Sequence, residues 1–173
     1  MKKSLLFLPV MLLLGFTASY AQKCKVGTDP ITNEHSVSFD YASRTVYYEY
    51  KTGPTAHLEL KFDYSGALKV IVPKGTEIIL KLENGEILKL ATAYDASPKT
   101  DASSSMYSAT IYTNYFYPIE LTKDEVNKLA TSKVVLIRYP DTQGGTRDFE
   151  PKGFTKKLAD VLQKGAQCIR ENF

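Results

Sequence analysis

The sequence predicts a mainly β, α+β fold: a curled antiparallel sheet or sandwich of about eight strands, one short capped helix, and a C-terminal amphipathic helix packed on the sheet. Three observations predict it. Between residues 36 and 139, short runs rich in Val, Ile, Tyr and Phe alternate apolar with polar positions, the period of half-buried strands. The runs do not alternate with helical segments, so parallel βαβ units are excluded and antiparallel pairing remains. Residues 154–170 then switch to a helical period with one apolar stripe.

Residues 22–35 hold Gly27, Asp29, Pro30 and Asn33 and read as an irregular lead-in. Strands are expected over 36–41 and 45–50, ended by Lys51-Thr52-Gly53-Pro54. In 58–64, Leu58, Leu60, Phe62 and Tyr64 face one way while Glu59, Lys61 and Asp63 face the other. Ser65-Gly66 turns into an expected strand at 68–72, and Pro73-Lys74-Gly75 turns again.

Residues 76–93 form a hairpin around Asn84-Gly85. A two-residue turn, the default for this pair, would match Leu82 with Ile87 and Leu80 with Lys89 and mix charge into both faces. A three-residue loop, Glu83-Asn84-Gly85 with Gly85 left-handed, matches Leu82 with Glu86, Leu80 with Leu88 and Ile78 with Leu90. One face then carries Ile78, Leu80, Leu82, Leu88 and Leu90. Because a one-residue slip reverses every side chain of a strand, the three-residue loop is expected. Ile79 and Ile87 stay on the second face, which is expected to be partly covered too.

Residues 95–105 are small and polar and read as a loop; 107–119 is a long β-prone run. A short helix follows to about residue 131, with Thr122 as N-cap, Glu125 as return partner of a capping box, and Leu121 and Val126 at the staple positions. Residues 133–139 are another strand, and 140–153 are turn-rich around Gly144-Gly145. On the terminal helix Phe154, Leu158, Val161, Leu162, Gly165, Cys168 and Ile169 share the apolar stripe; Lys156, Lys157, Asp160, Lys164 and Arg170 lie opposite.

The N-terminus has the layout of a signal peptide over residues 1–21. Lys2 and Lys3 form the positive region, an apolar run of about 12 residues follows, and Ser19 and Ala21 place small residues before a cut at Gln22. Spanning a bilayer needs roughly 20 apolar residues, so no transmembrane segment is expected after signal removal. The expected product is a single β-rich domain, residues 22–173, exported to the periplasm or the exterior. The only cysteines, Cys24 and Cys168, then meet an oxidising compartment and are expected to form one disulfide. Closing so long a loop stabilises by up to about 4–5 kcal/mol in the chain-entropy account.

Composition and charge narrow the function. A chain 43% hydrophobic and 24% charged is ordinary globular material, which excludes collagen, coiled coil and wholesale disorder. The formal charge is +3, and loss of Lys2 and Lys3 leaves 20 of the 22 basic residues against 19 acids, a net of +1. That balance gives no electrostatic footprint for nucleic acid. No HExxH, cysteine cluster, acidic calcium loop, GxSxG or glycine-rich phosphate loop occurs, so no catalytic, cofactor or metal residue is assigned. His35, beside Glu34, reads as loop polarity and His57 as a strand-edge residue.

The feature left for recognition is the tyrosines, grouped at Tyr41, Tyr47, Tyr48 and Tyr50 and again at Tyr107, Tyr112, Tyr115 and Tyr117. Alternation places Tyr115 and Tyr117 on one face with Ile111 and Ile119, and Tyr112 with Phe116 on the other. Exposed tyrosines on a sheet make amphipathic contact surface, whereas buried ones are ordinary sheet packing. Sheet packing is the ordinary reading, and Tyr112, Tyr115 and Tyr117, with Arg138 as polar anchor, are the candidate binding surface. Its partner would be a protein, a glycan or a small apolar molecule.

Leu80-Lys81-Leu82-Glu83-Asn84-Gly85-Glu86, Tyr117-Pro118-Ile119 before the capped helix, Val135-Leu136-Ile137-Arg138 and the basic-amphipathic terminal helix occur in this order along the chain. In these pieces the chain resembles a family of small uncharacterised secreted bacterial envelope proteins with no established activity. The resemblance covers residues 56–170 and implies an exported β-rich domain without catalytic residues to carry over. The expected function is a non-enzymatic binding module. The alternative is a carrier holding a small apolar molecule in a cavity between sheet and terminal helix.

Overall fold

A computed structural model describes residues 24–105, 108–141, 144–151 and 156–173. The expected signal peptide, residues 1–21, and Phe154 of the helical stripe lie outside the described residues. Ten strands and two helices are present among those described. The strands are β1 (Lys25–Thr28), β2 (His35–Tyr41), β3 (Val46–Tyr50), β4 (Thr55–Ser65), β5 (Glu77–Leu82), β6 (Ile87–Ala91), β7 (Lys99–Ser105), β8 (Ser108–Thr122), β9 (Val134–Pro140) and β10 (Thr146–Phe149). The helices are α1 (Lys123–Thr131) and α2 (Lys156–Arg170).

One antiparallel sheet runs β1-β2-β3-β4-β8-β7 and a second runs β10-β9-β5-β6. They join along β8. The first half of that strand pairs with β7 and its second half is free on that side. There Thr92 bridges Ile119, and the Ala93 N–H donates to Pro118 O at 2.7 Å. Pro118 has no N–H of its own to leave unpaired, so it fits where the strand changes neighbours. The junction bends the two sheets into a half-barrel, and α2 packs across the open side against β2, β3 and α1.

The core fills the concavity. Val37, Phe39, Val46, Tyr48, Leu58, Leu60, Tyr115, Tyr117 and Ile119 come from the larger sheet, and Ile78, Leu80, Leu82, Leu88, Leu90 and Ile137 from the smaller. Along β4, Leu58, Leu60, Phe62 and Tyr64 are buried, as alternation predicts. The hairpin takes the three-residue loop: Leu80 pairs with Leu88, Ile78 with Leu90, Leu82 N–H donates to Glu86 O, and Gly85 is left-handed at φ 90°. Its second face is partly covered, as expected: Ile79 is half-buried while Ile87 is 59% exposed. In β9 the register slips opposite Lys81 and Leu82, leaving Val135 as an extra residue. The bulge lets Val134 and Ile137 both point inward.

The capping box forms on α1: Thr122 N–H donates to Glu125 Oε2 at 2.7 Å, and the Glu125 N–H donates to Thr122 Oγ1. Cys24 and Cys168 are bonded, with Cα atoms 5.6 Å apart. The bond fastens the chain just before β1 to the last turns of α2. On that helix Gly165 faces the larger sheet so closely that an added Cβ would overlap the Tyr48 ring and sit 3.0 Å from Phe39 Cδ1. The buried Tyr48 hydroxyl donates to Leu162 O at 3.1 Å.

Four segments depart from expectation. Residues 68–72 are not a strand: Val70 and Ile71 are 55% and 54% exposed, and the ladder is limited to a Val72–Ala96 bridge. This segment is strapped by side chains instead, with Leu68 N–H donating to Thr113 Oγ1 and the Tyr115 hydroxyl to Val70 O. The expected loop at 95–105 contains β7, whose small polar residues pair along β8, with residues 99–103 exposed. The strands β1 and β10 arise within segments expected to be irregular, each as a short, mostly exposed edge.

Candidate functional site

The four residues of the candidate binding surface separate. Tyr115 and Tyr117 are each 1% exposed and belong to the core, so the candidate exposed surface fails for both. Their face also carries Ile119, and that apolar company turned it inward. The rings stack with centroids 6.1 Å apart. Tyr64 donates its only hydroxyl proton to Pro140 O at 2.8 Å, so the 2.8 Å contact between the Tyr64 and Tyr117 oxygens has Tyr117 as donor. Burial pushes the Tyr117 phenol up to about 12 and raises Tyr64 further. These hydroxyls are neutral structural ties. Tyr112 lies half-buried on the opposite face of β8, across from Asp101 of β7. Arg138 projects from the outer face of the smaller sheet. Its Nε and Nη2 donate to Asp148 Oδ1 and Oδ2 at 2.6 and 2.7 Å, a bidentate pair.

A different set of aromatics forms a recess of about 400 Å³. Its origin is a mismatch in strand length. The last β3–β4 pair is Val46 with Leu60, yet β4 continues to Ser65. Beyond Leu60 the inner side of β4 therefore faces the smaller sheet. Phe62 stacks on Tyr139 of β9 with centroids 4.0 Å apart and planes 17° from parallel. Phe149 of β10, which pairs with Ile137, meets Phe62 edge-on at 6.4 Å. Tyr41, at the end of β2, and Leu158, early in α2, complete the apolar walls. Thr45, Lys61, Asp63 and Lys157 supply the polar margin, where Lys61 and Asp63 are paired at 3.3 Å.

The recess has the make-up of a small-molecule site: largely apolar and aromatic walls, few polar groups, and a volume within the usual range of about 300–1,000 Å³. Tyr41, Phe62, Tyr139, Phe149 and Leu158 are far apart in sequence, and each reads singly as a core position. The signal that unites them is the early end of β3, which requires the pairing register. Among the described residues no group of His, Cys, Asp and Glu is arranged to hold a metal ion, and no helix is long and apolar enough to cross a membrane. No family model, curated protein or solved structure matches the chain.

Proposed function

We propose that this protein is an exported, non-enzymatic binding module that takes a small apolar or aromatic molecule into the recess between β4, β9, β10 and the start of α2. The observation that carries the reading is the stacked Phe62–Tyr139 pair with Phe149 and Leu158 around about 400 Å³ of space. Two elements of the alternative carrier reading, the curled sheet and a cavity beside the terminal helix, meet at this place. Lys61 and Lys157 against Asp63 favour a ligand with an anionic end. Support for export comes from the charged and apolar layout of residues 1–21 and from the disulfide, which suits an oxidising compartment.

The test is titration with anilinonaphthalene sulfonate, an aromatic anion whose fluorescence rises in apolar surroundings. The chain has no Trp to interfere. Wild-type protein should bind one equivalent, and Phe149→Ser and Leu158→Ser should each weaken binding while far-ultraviolet circular dichroism is unchanged. Absence of uptake by the wild type, or equal uptake by both variants, rejects the recess as the site.

A further inference from the structure

A second recess, of about 340 Å³, lies on the outer face of the larger sheet and shares no residue with the first. Strand register builds it. Tyr47 pairs with Glu59, Glu49 with His57, and His57 with Glu120, which sets alternating acidic and aromatic side chains across β3, β4 and β8. Tyr94 comes from the bend that follows β6 of the smaller sheet. It follows Ala93, whose N–H is fixed to Pro118 O, so the junction of the two sheets delivers its ring over His57. The two rings are parallel within 2°, with centroids 6.1 Å apart. Arg44, on the turn between β2 and β3, lies 4.4 Å over the Tyr47 ring and 3.5 Å from Glu59 Oε1.

Packing alone does not account for this arrangement. The Glu59 side chain is only 12% exposed, and its buried Oε1 takes no hydrogen bond from the described residues; its one charged contact is the Arg44 ion pair. A buried carboxylate oxygen held only by a 3.5 Å ion-pair contact is left short of hydrogen bonds. At the same time Tyr94 is 53% exposed and presents a free ring face. His57 Nδ1 lies 3.1 Å from Glu120 Oε1. A carboxylate only accepts, so Nδ1 carries a proton in this contact. Burial, with the charges of Glu59 and Glu120 next, raises the Tyr94 phenol, which keeps it a hydrogen-bond donor.

The recess thus mixes carboxylate acceptors with guanidinium and phenol donors beside a flat aromatic face. An anion meets three carboxylates. A simple cation leaves the Arg44 donors unused, and an apolar molecule strips water from every polar group without replacement. A polyhydroxylated ring satisfies all of them, since its hydroxyls both give and accept hydrogen bonds and its C–H face stacks on an aromatic ring. We infer that the outer face is a saccharide-binding site, with Tyr94 as stacking platform, Glu59 and Glu120 as hydroxyl acceptors, and Arg44 as donor. This site is independent of the inner recess, so either can fail without the other.

Amide chemical shifts of the full exported domain, titrated with cellobiose, maltose and diacetylchitobiose, test it. At least one disaccharide should move the amides of residues 44–49, 57–59, 92–94 and 119–120. Tyr94→Ala and Glu59→Gln should each weaken that disaccharide by about tenfold, roughly 1.4 kcal/mol, without changing the thermal unfolding midpoint. Spermidine serves as the competing probe. The inference is overturned if none of the three sugars moves these amides, if Tyr94→Ala binds as well as wild type, or if spermidine alone produces the shifts, which would make the face a cation site.

Discussion

The helix α2 meets the half-barrel in two contrasting ways. Toward its C-terminus it is pressed against β2 and β3, with Gly165 on the Tyr48 ring, Leu162 O accepting the Tyr48 hydroxyl, and Cys168 bonded to Cys24. Toward its N-terminus, beside Leu158, the same helix borders about 400 Å³ of unfilled space lined by Tyr41, Phe62, Tyr139 and Phe149. Both ends face aromatic side chains from the same concavity. The difference lies in the sheet beneath: at the C-terminal end β2 and β3 are paired and present Phe39 and Tyr48, whereas β3 has ended before Phe62. A sheet that loses one strand partway along leaves room that the covering helix does not fill. Stability should concentrate at one end of α2 and ligand response at the other.

The largest expected effect comes from cutting the fastening at the tight end. Cys24→Ser with Cys168→Ser should destabilise the domain by about 2–5 kcal/mol, read as a lower midpoint in guanidinium unfolding. A loss under 1 kcal/mol would show that packing alone holds α2. Next is Gly165→Ala. In an exposed helix interior this change stabilises by about 1 kcal/mol. Here the added methyl overlaps Tyr48 and crowds Phe39, so a loss of about 1–3 kcal/mol is expected. A neutral result would mean that the two ends of α2 are equally loose.

The third test uses the same helix about two turns earlier. Leu158→Trp adds far more bulk than a methyl, but into the recess. It should change stability by less than about 1 kcal/mol and supply the chain's only indole. Its emission should shift when anilinonaphthalene sulfonate is added. A loss comparable to that of Gly165→Ala would erase the contrast between the ends.

The sequence made some of this legible and concealed the rest for physical reasons. The hairpin register was readable because Lys81 and Lys89 leave only one pairing that gathers the leucines. The capping box and the disulfide were readable because each depends on residue types at fixed places, Thr122 with Glu125 and a single pair of cysteines. Strand β7 was not, because an edge with both faces wet shows no hydrophobic period; its ladder comes from β8. Alternation correctly grouped Tyr115 with Tyr117 but does not label a face as inside, and the company of Ile119 was the available hint. Both recesses depend on register: one on where β3 stops, the other on which side chains of β3, β4 and β8 align. The outer site also needed Tyr94 delivered from the bend after β6.

The smallest expected effect belongs to Arg138, the sequence-predicted anchor that the structure places on β9 opposite Asp148 of β10. Its guanidinium grips Asp148 through two hydrogen bonds, and this contact first, with the positive charge after it, holds the Asp148 carboxyl below the usual aspartate range. The sign follows from linkage: a group whose pKa is lower in the folded state stabilises above its unfolded pKa, and that contribution disappears as pH falls through the folded value. Both partners are solvent-accessible, so screening by water and salt keeps the contribution small. Carbon-detected titration of Asp148 should show a midpoint below that of an ordinary aspartate, and Arg138→Gln should return it to normal while leaving anilinonaphthalene sulfonate binding unchanged. If instead that variant weakened uptake as much as Phe149→Ser, the pairing of β9 with β10 would be setting the width of the recess, and Arg138 would act on the ligand through Asp148 and the strand that carries Phe149.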